Sequence, residues 1–179
     1  MPNKWRISRK NSEMEAAFDN FYAAVFRYFR YRGEDADTAN DLASTVFERA
    51  LANIHRFDPQ KAQMKTWLFS IARNVAINHW KSTEIRSTMT LNEDLVDLTD
   101  FSPEDAFIIT ENKELLLHAL QDLDPRANEI IALKFGGPFT NRQIAHLMGL
   151  SEQNVAIIVY RSLIKLRSLL ANAETRYER

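Results

Sequence analysis

The chain has 179 residues, of which 45% are hydrophobic and 26% charged, and its 23 Lys and Arg balance 24 Asp and Glu to a formal net charge of −1. It contains no cysteine, which excludes disulfides, thiol nucleophiles and Cys-ligated zinc or iron–sulfur sites. Glycine and proline are scarce, which favours helices over a turn-rich β fold. No apolar run reaches the length of a membrane span and none follows the basic start, so we expect neither a membrane span nor a signal peptide.

Three helices are predicted in the first half of the chain. The first begins at Ser12, because Ser12-Glu13-Met14-Glu15 has the pattern of a capping box, and it ends at Gly33. A second helix is predicted over 35–55 and a third over 64–81, with a loop between them. The apolar residues at helical spacing are Phe18, Phe21, Tyr22, Val25, Phe26 and Phe29 in the first helix; Leu42, Val46, Phe47, Ala50, Leu51 and Ile54 in the second; and Leu68, Ile71, Ala72, Val75, Ala76 and Trp80 in the third.

An acidic stretch separates these helices from a second helical group. Residues 83–105 contain seven acidic residues against one arginine and show no clean periodicity, so residues 83–102 are interpreted as a flexible tether. Ser102-Pro103 has the pattern of a helix start, and Asp124-Pro125 has the pattern of another. After the break at Gly136-Gly137-Pro138, the last two helices are predicted at Asn141–Met148 and Glu152–Ala171.

The predicted architecture is therefore all-α, with two small helical domains. An N-terminal helical bundle (12–82) and a C-terminal helix-turn-helix domain (103–179) are joined by the acidic flexible linker (83–102), and a basic tail (1–11) precedes them.

The C-terminal domain contains the sharpest motif in the chain. Ala145 is small enough for a second helix to cross close to it, Gly149 permits a left-handed turn, Ser151 can cap the next helix and Val155 can pack back on the first. This pattern is typical of a DNA-binding helix-turn-helix, and a plain helical hairpin with the same turn chemistry is the alternative. In the motif the early turns of the second helix face the major groove. That places Gln153, Asn154, Ile157, Ile158 and Arg161 at the groove, with Arg142, Lys165 and Arg167 at phosphates. Only Gln153, Asn154 and Arg161 can hydrogen-bond base edges, whereas Ile157 and Ile158 could contact thymine methyl groups or be buried against a protein.

The third helix carries a second signal. Trp67, Phe69 and Trp80 are interleaved with side chains that carry amide or basic groups, and Phe57 lies in the preceding loop. Flat side chains beside hydrogen-bonding groups suit single-stranded DNA, although such aromatic residues can equally be core. The polar residues in question are Arg73, Asn74, Asn78, His79 and Lys81. No metal-ligand spacing, phosphate-binding glycine loop or nucleophile arrangement is present, so we expect no cofactor, no metal and no enzymatic activity.

Three segments resemble, in order, the extracytoplasmic-function (ECF) group of the sigma-70 family of RNA polymerase sigma factors. The run 41–50 resembles the polymerase-binding helix, the run 67–79 resembles the promoter-melting helix, and 123–167 resembles the promoter-binding domain that contains the helix-turn-helix.

The resemblance implies a role for each segment. Core RNA polymerase would bind at Asp41, Ser44, Thr45 and Glu48. The melted minus-ten element would be held by Phe57, Lys65, Trp67, Arg73, Asn74, Asn78 and Lys81, with Asn74 in the position best suited to capturing a flipped base. The duplex minus-thirty-five element would meet Arg142, Gln153, Asn154, Ile157, Ile158, Arg161 and Lys165. Binding energy would offset the few kcal/mol of unstacking per base, with no bond made or broken.

Two departures from the family pattern keep alternatives open. Ser44-Thr45 stands where the family often has Gln-Glu, and Ala156, Ile158, Leu163 and Ile164 occupy positions that are usually basic. The apolar positions could instead meet an anti-sigma factor. The alternatives are a sigma-like decoy that sequesters an anti-sigma factor, and a helix-turn-helix regulator, which would normally dimerise.

The linker is long enough for the sigma-factor hypothesis. Two DNA elements about one and a half turns apart are separated by ~50 Å. The twenty linker residues reach ~66–72 Å when extended and average ~25 Å as a coil.

We expect a cytoplasmic protein that is monomeric when free.

Overall fold

The computed structural model describes residues 4–87 and 113–177, and the side chains of residues 14–82 and 113–171. All regular structure within these ranges is helical, which confirms the predicted all-α class with two helical domains. Of the described residues, 4–26 and 37–87 form one compact unit, and residues 27–36 join residues 113–177 in the other. Residues 27–36 thus pack with the C-terminal helices.

Three long helices build the first unit. Helix α1 spans Lys4–Tyr31, α2 spans Ala36–Asn53 and continues as a 3-10 turn over Ile54–Arg56, and α3 spans Met64–Ser87. Most of the apolar residues at helical spacing are buried or half-buried, as predicted, whereas Phe18 and Leu51 are exposed. The largest wholly buried side chains of this unit are Val25, Val46, Leu68 and Phe69. Burial of a side chain of this size contributes roughly 1.5–3 kcal/mol, so the bundle is held by hydrophobic packing.

Two predicted boundaries of these helices are wrong. Helix α1 begins at Lys4 rather than Ser12, so residues 4–11 of the predicted tail are helical. Helix α3 continues to Ser87, five residues into the predicted linker. Neither stretch contains glycine or proline, and without such a breaker a helix can continue past a local capping signal. The remaining linker and the predicted start at Ser102-Pro103 lie outside the described residues.

Short helices build the second unit. Residues 113–121 are helical and are called α4; α5 spans Pro125–Ile131 and runs into a π-helical turn over Ala132–Gly136; α6 spans Asn141–Met148 and α7 spans Glu152–Tyr177. The predicted restart after α4 is confirmed, because the Asp124 carboxylate accepts a hydrogen bond from the backbone N–H of Ala127 at 3.0 Å. The helix predicted between Asp124-Pro125 and the break at Gly136 changes to π geometry after Ile131.

The turn between α6 and α7 has the geometry that its sequence predicts. Thr140 and Gln143 form a capping box at the start of α6, with bonds of 3.3 and 3.1 Å. Gly149 ends α6 in the left-handed region at φ 67°, and the hydroxyl of Ser151 accepts from the N–H of Asn154 at 3.1 Å. Val155 is fully buried. The helix-turn-helix is therefore formed by local capping and closed by an apolar contact.

Replacing Gly149 with alanine should destabilise the second unit by about 1–2 kcal/mol. The added Cβ would meet no atom within 4 Å, so the cost is the left-handed backbone alone. Urea denaturation followed by circular dichroism measures it. Gly149→Asn is the matched control, because asparagine tolerates this conformation better. Equal stability of the alanine variant and the parent would contradict the interpretation.

Candidate nucleic-acid and partner interfaces

One side of α7 is exposed and carries most of the predicted base contacts. A helix places residues three, four and seven apart on one side, and Gln153, Ile157 and Arg161 have this spacing, with Asn154 beside them. All four are exposed, while Val155 and Val159 face the core. One face of the second helix of the motif is therefore exposed, as insertion of that helix into a DNA groove would require.

Two residues on α7 that are predicted to contact DNA already contact other parts of the protein. Ile158 lies on the flank of the helix and is half-buried. The Lys165 ammonium donates a hydrogen bond to the backbone carbonyl of Asp122 at the end of α4. Arg142 on α6 and Arg167 on α7 are exposed. The exposed arginines are therefore better placed for phosphate contacts than Lys165 in this conformation.

The exposed side of α7 is also more apolar than the predicted contacts suggest. Ile157 is 42% exposed, Tyr160 66% and Ile164 53%. Sequence reasoning left Tyr160 out, although it lies three residues from Ile157 and four from Ile164, the spacing of one helix face. Apolar groups in a row on an exposed face are typical of an interaction surface.

The predicted minus-ten residues on α3 are grouped by the same periodicity. Asn74, Asn78 and Lys81 are exposed and follow one another at intervals of four and three residues. Trp67 lies two turns before Asn74 on this face and is half-buried. The side chains of Asn74 and Asn78 make no hydrogen bond to other described residues. Their donors and acceptors are available to a ligand.

The remaining residues predicted for this site lie beside that face. Arg73 is half-buried on its flank, and Lys65 is half-buried in the first turn of α3. Trp80 is half-buried as well, whereas Phe69 is wholly buried and belongs to the core. The two tryptophans are thus partly core and partly surface.

A structured loop holds Phe57 against α3. The rings of Phe57 and Trp67 have centroids 5.2 Å apart and are inclined at 44°. Asp58 organises the turn: its carboxylate accepts from the backbone N–H of Gln60 at 3.0 Å, and its carbonyl accepts from Lys61 and Ala62. An Asx turn of this kind fixes the path of the chain over a few residues.

A cavity of about 420 Å³ opens between this loop and α1. Its volume falls in the range of small-ligand sites. The walls are formed by Ala16, Ala17, Asn20, Phe21, Phe57, Pro59, Ala62, Gln63 and Met64. Sequence reasoning missed the α1 wall, above all Asn20 and Phe21, since no local signal predicts which face of α1 meets the loop.

The predicted polymerase-binding residues lie on one side of α2. Asp41, Ser44, Thr45 and Glu48 follow helical spacing; Asp41 and Glu48 are exposed, and Ser44 and Thr45 are half-buried. Beside them runs an apolar groove of about 740 Å³, lined by Met14, Glu15, Phe18, Ser44, Phe47, Glu48 and Leu51. Carboxylates and hydroxyls therefore border an apolar channel.

An aromatic cluster lies at that groove. The rings of Phe18 and Phe47 meet edge to face with centroids 5.0 Å apart, and Tyr22 lies 4.7 Å from Phe18. The Tyr22 hydroxyl donates to the side-chain oxygen of Asn40 at 2.6 Å. Leu51, predicted to lie on the inner face of α2, is instead 52% exposed and lines the groove, because Val46, Phe47 and Ala50 form the buried side of the helix.

No group of three or more His, Asp or Glu side chains within the described ranges is arranged to hold a metal ion. A search of the same residues finds no helix long and apolar enough to cross a membrane. The features that the structure does present are exposed helix faces and open cavities.

The described residues therefore form two helical modules, one with exposed amides beside a tilted aromatic pair and one with a helix-turn-helix. Residues 17–84 match the family described as Sigma-70 region 2, and residues 119–168 match Sigma-70, region 4. The chain therefore belongs to the sigma-70 family.

Individual relatives support its extracytoplasmic-function (ECF) group of RNA polymerase sigma factors. The chain is 34% identical over 154 residues to the ECF RNA polymerase sigma factor BldN of Streptomyces coelicolor, covering 86% of this chain and 58% of that protein. It is 27% identical over 146 residues to the ECF sigma factor SigM of Bacillus subtilis, covering 81% and 87%. Among solved structures, RpoE of Bartonella quintana in complex with the anti-sigma factor NepR has the same fold, with a TM-score of 0.66 at 19% identity over 89% of this chain and 97% of that one.

Asp58→Ala should loosen the loop that holds Phe57. The substitution removes the acceptor for the Gln60 N–H, at a cost of about 1 kcal/mol, so amide exchange over residues 58–63 should accelerate about fivefold. Asp58→Asn is the matched control, since it keeps an acceptor oxygen and loses only the exposed ion pair with Lys61 at 3.5 Å, which contributes little. Exchange mass spectrometry that shows both variants alike would contradict the role of the Asx turn.

Proposed function

We propose that the protein directs core RNA polymerase to specific promoters and initiates transcription by recognising and melting promoter DNA. The observation that carries the proposal is the exposed amide face of α3 beside the Phe57 loop, in a chain that also has a helix-turn-helix. The first feature suits melted DNA and the second suits duplex DNA, and an initiating sigma factor needs both.

The minus-ten element would be held as a single strand at α3. Asn74 and Asn78 would hydrogen-bond the edges of unpaired bases, and Lys81 would contact the backbone. A flipped base would enter the cavity beside Phe57, where Asn20 and Gln63 offer further amide groups. Stacking is worth about 1–3 kcal/mol per base, enough to offset unstacking of a few kcal/mol. The exposure of these amides supports the assignment.

The minus-thirty-five element would be bound as a duplex by α7. Arg161, Gln153 and Asn154 can hydrogen-bond base edges in the major groove, and Ile157 can contact a thymine methyl group. Arg142 and Arg167 would contact phosphates. With few cations on this surface, binding should depend on salt less steeply than in a strongly basic reader.

Core polymerase would bind at the polar side of α2 and the groove beside it. Asp41, Ser44, Thr45 and Glu48 would make the polar contacts, and the apolar lining around Leu51 would supply buried area. An apolar centre with a polar border is the usual anatomy of a protein interface.

Other parts of the proposal follow from the family. Promoter DNA and core polymerase would be the partners, the cell compartment would be the cytoplasm, and no cofactor and no catalytic residue would be involved. The free protein would be a monomer.

A second candidate function is a sigma-like decoy that binds an anti-sigma factor without engaging polymerase. The apolar residues exposed on α7 favour it, because Tyr160 and Ile164 are unusual on a surface meant only for DNA. The complex of RpoE with an anti-sigma factor is a precedent in the same fold.

Run-off transcription separates the two functions. Purified core polymerase is mixed with promoter fragments, with and without the protein. Discrete transcripts that depend on the protein are expected. Absence of transcripts, together with absence of co-migration with core polymerase on a sizing column, would exclude a sigma factor and favour the decoy.

Asn74→Ala should reduce promoter opening about tenfold and leave polymerase binding unchanged. The substitution removes hydrogen bonds worth about 1–3 kcal/mol that form only with unpaired bases. Permanganate reactivity of melted thymines measures opening, and fluorescence anisotropy measures polymerase binding. Gln60→Ala, which removes an exposed carboxamide outside the cavity wall, is the control. Loss of both activities in the Asn74 variant would refute its assigned role.

Leu51→Asp should weaken binding to core polymerase by about tenfold or more. The change places a charge in the apolar groove, where an interface would remove it from water. Ala52→Asp adds the same charge at the next, exposed position outside the groove lining and should bind as the parent does. Equal affinities of the two variants would show that polymerase does not use the groove.

A further inference from the structure

The cavity between the Phe57 loop and α1 carries polar groups of a single kind. None of the described side chains that line it is ionisable, and the two polar ones, Asn20 and Gln63, both end in a carboxamide. The other lining residues are apolar; among them Ala17 is buried, and Phe21 and Phe57 are half-buried. A cavity of this composition suits a flat, neutral molecule with hydrogen-bonding groups at its edge, as a nucleobase is, and does not suit a phosphate.

The cavity lies beside the face of α3 that is proposed to hold melted DNA. Phe57 belongs to the cavity wall, and its ring also contacts Trp67, which lies on that face, at a centroid distance of 5.2 Å. The cavity, the loop and the α3 face all belong to the first unit. A base that leaves the stack along α3 therefore has a neighbouring cavity to enter.

The carboxamide of Asn20 has a fixed orientation. Its nitrogen donates to the backbone carbonyl of Ala16, one turn earlier on α1, at 2.6 Å. A carbonyl oxygen attracts the N–H end of a carboxamide and repels the C=O end, so the two ends cannot exchange places without loss of this bond. The nitrogen is thus held at the helix backbone, and the oxygen is the end that remains to accept a hydrogen bond from a ligand.

Gln63 differs from Asn20 in this respect. Its side chain is exposed and makes no hydrogen bond to other described residues. It can turn either end of its carboxamide towards a ligand, so it adapts to a donor or to an acceptor. The fixed group on α1 therefore discriminates between ligands, and the adaptable group in the loop does not.

The four bases differ in what they would present to the Asn20 oxygen. On the major-groove side of the edge, adenine and cytosine carry an amino group, which donates, where guanine and thymine carry a carbonyl oxygen, which accepts. A carbonyl opposite the Asn20 oxygen would leave both oxygens without a donor and out of water once the base is seated, which weakens binding.

We propose that the cavity selects a base with an amino group at this position, adenine or cytosine, and that Asn20 is the residue that determines the selectivity. The Asn20 oxygen accepts from the amino group, and the Gln63 carboxamide turns to donate to the neighbouring ring nitrogen. The inference rests on the proposed function, because an unpaired base reaches the cavity only when promoter DNA is melted.

Binding of the holoenzyme to pre-melted promoter DNA tests the selectivity. A promoter identified by run-off transcription is prepared with its minus-ten stretch unpaired by mismatches, so that melting does not limit binding. Each adenine and cytosine of that stretch is replaced in turn by an analogue that lacks only the amino group, purine for adenine and pyrimidin-2-one for cytosine. At one position the replacement should weaken binding about tenfold, measured by competition against a fluorescent template. The four natural bases are then compared at that position.

Three variants assign this loss to Asn20. In Asn20→Ala the analogue and the natural base should bind equally well, because no acceptor remains. Asn20→Asp keeps an acceptor and has no N–H, so the ratio of about tenfold should persist although the added charge weakens binding to both templates. Asn53→Ala is the matched control, because Asn53 makes the same bond to the carbonyl one turn earlier, that of Arg49 at 2.8 Å, but does not line the cavity. It should behave as the parent does.

The outcomes distinguish the selectivity from the proposed function. A holoenzyme that binds the melted promoter but has no amino-dependent position altered by Asn20→Ala overturns the selectivity and leaves the sigma-factor function intact. An Asn20-dependent position that prefers guanine or thymine overturns the selectivity too, as does loss of the ratio in Asn20→Asp. A parent protein that does not bind core polymerase, or a holoenzyme that does not bind the melted promoter, overturns the proposed function, and the selectivity falls with it.

Discussion

Packing of α3 through Leu68, Phe69, Ala72, Val75 and Ala76 is the contact on which the proposed DNA site depends. Once that face is buried, the 3.6-residue repeat leaves Asn74, Asn78 and Lys81 in solvent on the opposite side. Each wholly buried large side chain contributes roughly 1.5–3 kcal/mol, which far exceeds the cost of orienting an exposed amide. The polar face is thus positioned by apolar residues that never touch a ligand.

In α7 too, burial of one apolar side decides which residues are exposed, but the exposed side is part polar and part apolar. Val155, Val159 and Leu166 are buried, and the exposed side combines Gln153 and Arg161 with Ile157, Tyr160 and Ile164. Hydrogen-bonding groups suit base edges, while the apolar groups suit a methyl group or a protein surface. The exposed face of α7 therefore combines hydrogen-bonding and apolar groups on the same few turns.

The two units differ in whether their proposed sites are formed by residues close in sequence or by separate helices. The helix-turn-helix is held largely by caps within a few residues of each other, at Thr140, Gly149 and Ser151. The Phe57 loop, the cavity beside it and the groove beside α2 depend on the approach of separate helices. A turn that is set by neighbouring residues suits a surface that would bind duplex DNA without rearrangement. A site for a flipped base needs walls from several elements.

The sequence by itself determined the all-α class, the helix-turn-helix and the helix faces that carry the predicted contacts. These follow from turn chemistry and from a 3.6-residue period, which act over neighbouring residues. It also indicated the family, because three motifs occur in one order.

Only the tertiary structure decided which residues meet across the chain. It placed Asn20 and Phe21 opposite Phe57, turned Leu51 outward, bound Lys165 to the Asp122 carbonyl and seated the end of α1 on Asn128. Contacts between residues tens of positions apart arise from helix packing, which depends on the summed burial of whole faces and leaves no signature in any short stretch of sequence.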